Sequence, residues 1–419
     1  MTTSKKLRVT NTYLAVFSAA SVLSTVVAWI YSSYFRNDFA ALLVFRGQDG
    51  NCDTMSQGLG LHCFGDYSAI HYSNIFQIPK GAEAVYPLVT RVFRFPFLLI
   101  ETISSYRVGL ASYLIALALA ILFPVLHTYF KRQIMLSLPC WLSVTFLNIG
   151  MISSLDRGNM IAFAVPFMYL FLIKFQEGNS KNASVYLTLA TMVKPQLALF
   201  AIVFLWRREI KTFLVFTVRT ALSITAPYLV FGTKSMTFFT AWIDETINWS
   251  KSLAPTAEFP TNYSFNRILG ILDINYPTFS FILGFVLLAG LSFPIIVKKK
   301  RILLVDLISL SFVVICMNSI VYIYYSVLLI PVWLLLFSKS DKIAETDHKR
   351  TRGSQFAEVL LALATAPLAW PSQWRIGNGT NESGAYNTIP ILVTLGVVVL
   401  VGLTIGSNVR VMFNRRYEI

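Results

Sequence analysis

Residues 108–129 read VGLASYLIALALAILFPVLHTY, and the first charged residues beyond them are Lys131 and Arg132. The hydrocarbon core of a bilayer is about 30 Å thick, which takes about 20 apolar residues of helix to cross. This run is long enough, and the basic pair that closes it suits a cytoplasmic end. Comparable runs recur along the chain. One covers about residues 12–31 behind Lys5, Lys6 and Arg8, and another covers about 134–153. A fourth span returns at Lys174, and a later one over about 279–297 drops onto Lys298-Lys299-Lys300-Arg301.

Composition agrees with that reading. Of 419 residues, 55% are hydrophobic and 13% charged, with mean hydropathy +0.62. A soluble domain carries roughly 25% charged residues, so this chain lacks the polar material to cover a water-facing surface. The net charge of +15 does not form one long patch. The basic residues punctuate the apolar runs, which fits topology and contact with anionic membrane lipids and argues against nucleic acid as a partner. No typical cleavable signal precedes the first run, which is long enough to stay as an anchor. The expected fold is an all-α polytopic membrane protein, one integral domain over residues 1–419 with about ten to twelve crossings. Both termini are expected to be cytoplasmic. Long extracytoplasmic loops fall at about 36–106 and 232–277, and a C-terminal helix pair at about 354–409. A short hairpin turning near 318–322 precedes that pair.

Residues 183–206 read two ways. The run is apolar but interrupted by Val193-Lys194-Pro195-Gln196, with Lys181 before it and Arg207, Arg208 and Lys211 after it. Two short helices meeting at Lys194 leave both basic flanks on one side, whereas a single straight span puts one on the wrong side. Lys194 itself is an ammonium in the middle of an apolar run, and it requires an anionic partner such as a lipid phosphate.

The remaining polar features sit in the outer segments. The first loop holds Gly65-Asp66-Tyr67 and then Tyr86-Pro87, followed by an apolar stretch over 92–103 that reads as an interfacial helix. Asp156-Arg157-Gly158-Asn159 ends a span, and its Asp and Asn also suit a helix cap. Asn262-Tyr263-Ser264 lies in the second loop ahead of Arg267, and Tyr322 to Tyr325 form an aromatic turn. Cys52 and Cys63 share the first loop and are placed to be bonded if it faces an oxidising compartment, whereas Cys140 and Cys316 lie in apolar runs. No convincing metal cluster or nucleotide-sugar motif is present, so no cofactor is expected.

In order, these segments resemble glycosyltransferase family 87, GT-C enzymes that include polyprenyl-phosphate-mannose-dependent mannosyltransferases of actinobacteria. Gly65-Asp66-Tyr67 matches the position of the family's first-loop aspartate, and Tyr86-Pro87 its tyrosine-proline element. Arg157-Gly158-Asn159 resembles a Gly-Gln-x-Asn element with the Gln absent. Lys194-Pro195 is similar to the lysine-proline break, and Asn262-Tyr263-Ser264 to an Asn-Gln-Ser element with Tyr in place of Gln. Asn318-Ser319 through Tyr325 matches the late aromatic turn loosely. Asp38, Asp49 and Asp53 share the first loop and compete with Asp66 for its role, and the tyrosine-proline element has one proline where relatives often have two.

The resemblance implies a GT-C fold and transfer of a sugar, mannose first, from a polyprenyl-phosphate donor to a lipid-linked or glycan acceptor hydroxyl on the outer face. Asp66 is the implied base, Arg157 and Lys194 the donor-phosphate ligands, with Arg91 and Arg267 in reserve. Tyr67, Tyr86, Asn159, Gln196, Asn262 and Ser264 are the implied substrate-binding residues. The rival reading is a transporter or lipid flippase, for which Lys194, Arg219 and the broken helix would line a pathway. Against it stand the absence of an internal repeat and the concentration of acidic and polar residues in the long outer loops.

Overall fold

Pro195 has no N–H to donate, and its ring drives the residue before it out of the helical region. Lys194 accordingly sits at φ −141°, ψ 104°, and the helix that precedes it stops at Val193. The computed structural model describes residues 65–68, 87–132, 151, 154–155, 157–231, 235–252, 263–266, 268, 278–298, 302, 304–318, 321, 323–337 and 388–414. Among them the regular structure is entirely helical.

In chain order, α1 is Gly65–Ser68, α2 Leu88–Val92, α3 Phe95–Ile103 and α4 Tyr106–Arg132. A 3-10 turn at Met160–Phe163 leads into α5, Ala164–Gln176, and then α6, Ser180–Val193. After the break come a 3-10 segment, Pro195–Ala201, and α7, Ile202–Trp206. Then follow α8, Ile210–Phe231, α9, Ser235–Ser252, α10, Phe279–Lys298, and α11, Leu304–Cys316. A 3-10 segment, Ile323–Leu329, precedes α12, Ile330–Phe337, and α13 is Thr388–Asn414.

Among the described residues, four helices are long and apolar enough to cross a membrane: Tyr106–Phe130, Ile210–Val230, Phe279–Val297 and Val393–Arg410. Helix α4 buries Tyr113, Leu117, Ile121 and Val125 at a spacing of four, which is one helical face. Its opposite face stays apolar, with Ile115 60% and Leu119 57% exposed, as α8 does with Leu214, Val218 and Leu222. Water would select polar residues there, and lipid does not. The chain is therefore an all-α polytopic membrane protein. The spans expected over 12–31 and 134–153, the loop carrying Cys52 and Cys63, and the first helix of the C-terminal pair lie outside the described residues.

The segment after Lys194 folds back. Ser184 and Thr188, on the second and third turns of α6, touch Arg219 and Thr220 of α8. Phe204 of α7 returns to that same end, packing on Phe175 and Phe216. Arg207 lies over the Phe175 ring at 3.7 Å, and Arg208 Nη2 donates to the Ile296 carbonyl at 2.8 Å. Asn408 Nδ2 bonds Asp306 Oδ1, which brings the Arg410 end of α13 beside the start of α11. The helix ends at Arg132, Lys174, Lys298 and Arg410, and the flanks Lys181 and Arg207 to Lys211, therefore gather at one end of the bundle. The broken-hairpin reading of 183–206 is the one the fold adopts, with Lys194 at its apex. The expected hairpin has α11 and α12 as its arms, and the chain turns at Met317 and Asn318 after α11. The expected outer loops contain helices, α1, α2 and α3 in the first and α9 in the second.

With the native cysteines removed, Lys181→Cys and Lys211→Cys should react with a membrane-impermeant maleimide from the same side of sealed vesicles. Labelling from opposite sides would make 183–206 a straight span and overturn the hairpin.

Candidate active site

The opposite end of the bundle collects most of the expected site residues. It is built around a turn. Gly158 N–H donates to the Leu155 carbonyl at 3.0 Å and Asn159 N–H to the Ser154 carbonyl at 2.9 Å. That is the Schellman pattern, which puts one residue in the left-handed region, here Gly158 at φ +64°. A Cβ at that position would stand 3.0 Å from the Tyr67 Cβ, so glycine serves both the turn and the approach of α1. The Tyr113 hydroxyl fixes the turn further by donating to the Gly158 carbonyl at 2.9 Å.

Asn159 then does two things at once. Its Oδ1 accepts from the Ile161 N–H at 2.9 Å and caps the following 3-10 turn. Its Nδ2 donates to Asp66 Oδ2 at 2.6 Å. Arg157 Nε lies 3.5 Å from the same oxygen, an ion-pair distance longer than a hydrogen bond. The Asp66 side chain keeps 20% of its surface exposed and that of Arg157 14%, so the carboxylate is held yet reachable.

Behind Asp66 the support is buried. Arg94, 0% exposed, donates through Nη1 to the Asp66 backbone carbonyl at 2.8 Å and lies over the Tyr67 ring at 4.4 Å. The Tyr67 hydroxyl donates to Glu101 Oε2 at 3.0 Å. Burial first, then that hydrogen bond, pushes the Tyr67 phenol well above its usual range, so it stays a neutral donor. Burial pulls the Arg94 guanidinium below its ordinary value, opposed by Tyr113, Tyr67, Glu101 and Asp66 around it. A guanidinium remains charged even so.

The aromatic turn links this cluster to the hairpin apex. Tyr324 and Tyr325 stack at 5.1 Å between ring centroids. Arg157 faces Tyr324 at 5.8 Å, and Lys194 Nζ faces Tyr325 at 5.1 Å. Rings hold cations by their quadrupole, an attraction that strengthens where water is scarce. Lys194 is 7% exposed. Gln196 Oε1 accepts from Asn318 Nδ2 at 2.8 Å. Ser264 is fully buried on the strip whose Tyr263 and Phe265 N–H groups donate to the carbonyls of Val321 and Cys316, across the turn that carries Asn318.

Of the expected site residues, Asp66, Tyr67, Arg157 and Asn159 form one contact cluster, and Lys194, Gln196 and Ser264 gather around the adjoining aromatic turn. Tyr86 and Asn262 lie outside the described residues, as do Asp38, Asp49, Asp53, Asp156 and Arg267. Arg91 is buried. Thr90, Arg94 and Glu101 were not singled out from the sequence. The usable signal was the one that marked Lys194, since Arg94 and Glu101 are charges in the apolar run read only as an interfacial helix.

The fold and this cluster define a class, a polytopic membrane protein carrying a supported carboxylate and aromatic-held cations at one end of its helices. The chain belongs to glycosyltransferase family 87, whose family model matches residues 84–319, more than half of its length. It is thus a membrane glycosyltransferase, working on a sugar donor and an acceptor. The match takes in Arg94, Arg157, Asn159, Lys194, Gln196 and Asn318, while Asp66, Tyr67, Tyr324 and Tyr325 fall outside it. No curated protein and no solved structure matches the chain.

Gly158→Ala tests the turn. The left-handed backbone penalty of about 1–2 kcal/mol, together with the Tyr67 contact, should lower the thermal midpoint in detergent measurably. An unchanged midpoint would mean that the turn is not built as described.

Proposed function

We propose that this glycosyltransferase moves a sugar, mannose first among candidates, from a polyprenyl-phosphate donor to a lipid-linked or glycan acceptor hydroxyl. The observation that carries the proposal is the Asp66 carboxylate, bonded to Asn159 and paired with Arg157, in an enzyme of this family. Asp66 takes the acceptor proton as the hydroxyl oxygen bonds to the anomeric carbon. The bond from that carbon to the phosphate oxygen breaks at the same time, and the polyprenyl phosphate leaves with the electron pair. One displacement inverts the carbon, so a β-linked donor gives an α-linked product.

The leaving phosphate is an anion and needs fixed positive charge in a place poor in water. Arg157 and Lys194 supply it, one held over each of the stacked tyrosines. Gln196, Asn159, Tyr67, Ser264, Tyr86 and Asn262 bind substrate. The helices around them admit the polyprenyl tail, which is why the enzyme is embedded in the membrane. The basic helix ends gather at the end of the bundle away from Asp66, and by the positive-inside rule this supports a cytoplasmic placement for them. The active site is then extracytoplasmic and both termini are cytoplasmic, in the cell membrane, where the enzyme serves envelope glycan synthesis.

Membranes carrying the wild type should transfer label from radiolabelled polyprenyl-phosphate-mannose, and Asp66→Asn should reduce the rate by about 10²–10⁴-fold at normal protein levels. Undiminished transfer by that variant would move the base to another residue. A wild type that rejects the mannose donor but uses another lipid-phosphate sugar would change the sugar and keep the chemistry.

A further inference from the structure

Three and seven residues after Pro87, the chain has placed two side chains, Thr90 and Arg94, on the two halves of the site. The segment from Pro87 through α2 to Arg94 is buried on one side, with Leu88, Val89, Thr90, Arg91 and Arg94 all at most 3% exposed while Val92 faces out. Its own backbone is closed by Thr90 N–H to Pro87 O, Phe93 N–H to Thr90 O and Arg94 N–H to Arg91 O. The Tyr228 hydroxyl anchors it from α8 by accepting from the Leu88 N–H at 2.9 Å.

The Thr90 hydroxyl donates to the Met192 carbonyl at 2.7 Å, with the Val193 carbonyl at 3.5 Å. Those two carbonyls end α6, where the proline break removes the next turn that would have bonded them. An orphan carbonyl in a buried place is costly, so a donor brought from a distant segment holds the end of α6 in one geometry. Lys194 is the next residue. Arg94, four residues after Thr90 and on the same side of the turn, donates to the Asp66 carbonyl and covers the Tyr67 ring.

We propose that Thr90 and Arg94 are positioning residues, Thr90 acting through Lys194 and Arg94 through Asp66, so that one rigid segment sets the separation of the phosphate-binding cation from the base. The inference rests on the donor and base roles proposed above. It adds a division of labour. Thr90 governs hold on the lipid phosphate, and Arg94 governs the chemical step.

The test uses the purified full chain in nanodiscs, with a sugar-free polyprenyl phosphate as binding probe and steady-state transfer as the second readout. Thr90→Val, which keeps the shape and loses the hydroxyl, should weaken probe binding and raise the donor KM by about tenfold, with kcat nearly unchanged. Thr90→Ser should restore both. Arg94→Lys, which keeps the charge but not the fork, should lower kcat and leave probe binding at the wild-type level. Thr90→Val binding like the wild type, Thr90→Ser as poor as Thr90→Val, or a loss in kcat alone for Thr90→Val would each overturn the assignment while leaving the donor reading intact. A wild type that neither binds the probe nor transfers would bring down the lipid-phosphate reading itself, and this inference with it.

Discussion

The architecture turns on one missing hydrogen bond. Pro195 has no amide proton to give the helix behind it, and its ring forces Lys194 into extended backbone. The apolar stretch therefore cannot cross as one rod. It folds back, returns its basic flanks to a single end, and leaves an ammonium at the apex. In a bilayer such a break is tolerated only where protein re-satisfies the freed backbone groups. At the end of α6 the Thr90 hydroxyl supplies such a donor, to the Met192 carbonyl.

Charge placement follows from the same scarcity of water. Three cations in this half of the molecule rest on aromatic faces, Arg94 on Tyr67, Arg157 on Tyr324 and Lys194 on Tyr325. Carboxylates are met by donors, Asp66 by Asn159 and Arg157 and Glu101 by Tyr67. The result is a polar cluster whose members come from segments near residues 66, 94, 157, 194 and 324. It is held by geometry set before any substrate arrives, which is the condition under which fixed charges stabilise a transition state best.

Much of this was legible in the residues themselves. Apolar length identified the spans at 108–129 and 279–297, because bilayer thickness leaves little choice. The basic flanks favoured the fold-back at Lys194 before any contact was known, and Gly65-Asp66-Tyr67 with Arg157-Gly158-Asn159 marked the two sides of the carboxylate cluster. The pairing between them was not legible, because Asp66 and Asn159 meet only through tertiary packing. Arg94, Glu101 and Thr90 were hidden for a related reason. In an interfacial helix a charge or hydroxyl normally points to headgroups, and nothing local to 88–103 shows that these face inward. Cys52 and Cys63, and Tyr86 and Asn262, stand beyond the described residues.

The central claim is that the hairpin apex and the first-loop carboxylate form one site for a phosphate-linked sugar. A cryo-EM structure of the full chain with a non-transferable polyprenyl-phosphate sugar analogue tests it most directly. Phosphate density is expected within bonding distance of Lys194 and Arg157, beside Tyr324 and Tyr325, with the sugar between it and Asp66. Phosphate seated instead among the basic residues at the opposite end of the bundle, near Arg207 and Lys211, would contradict it.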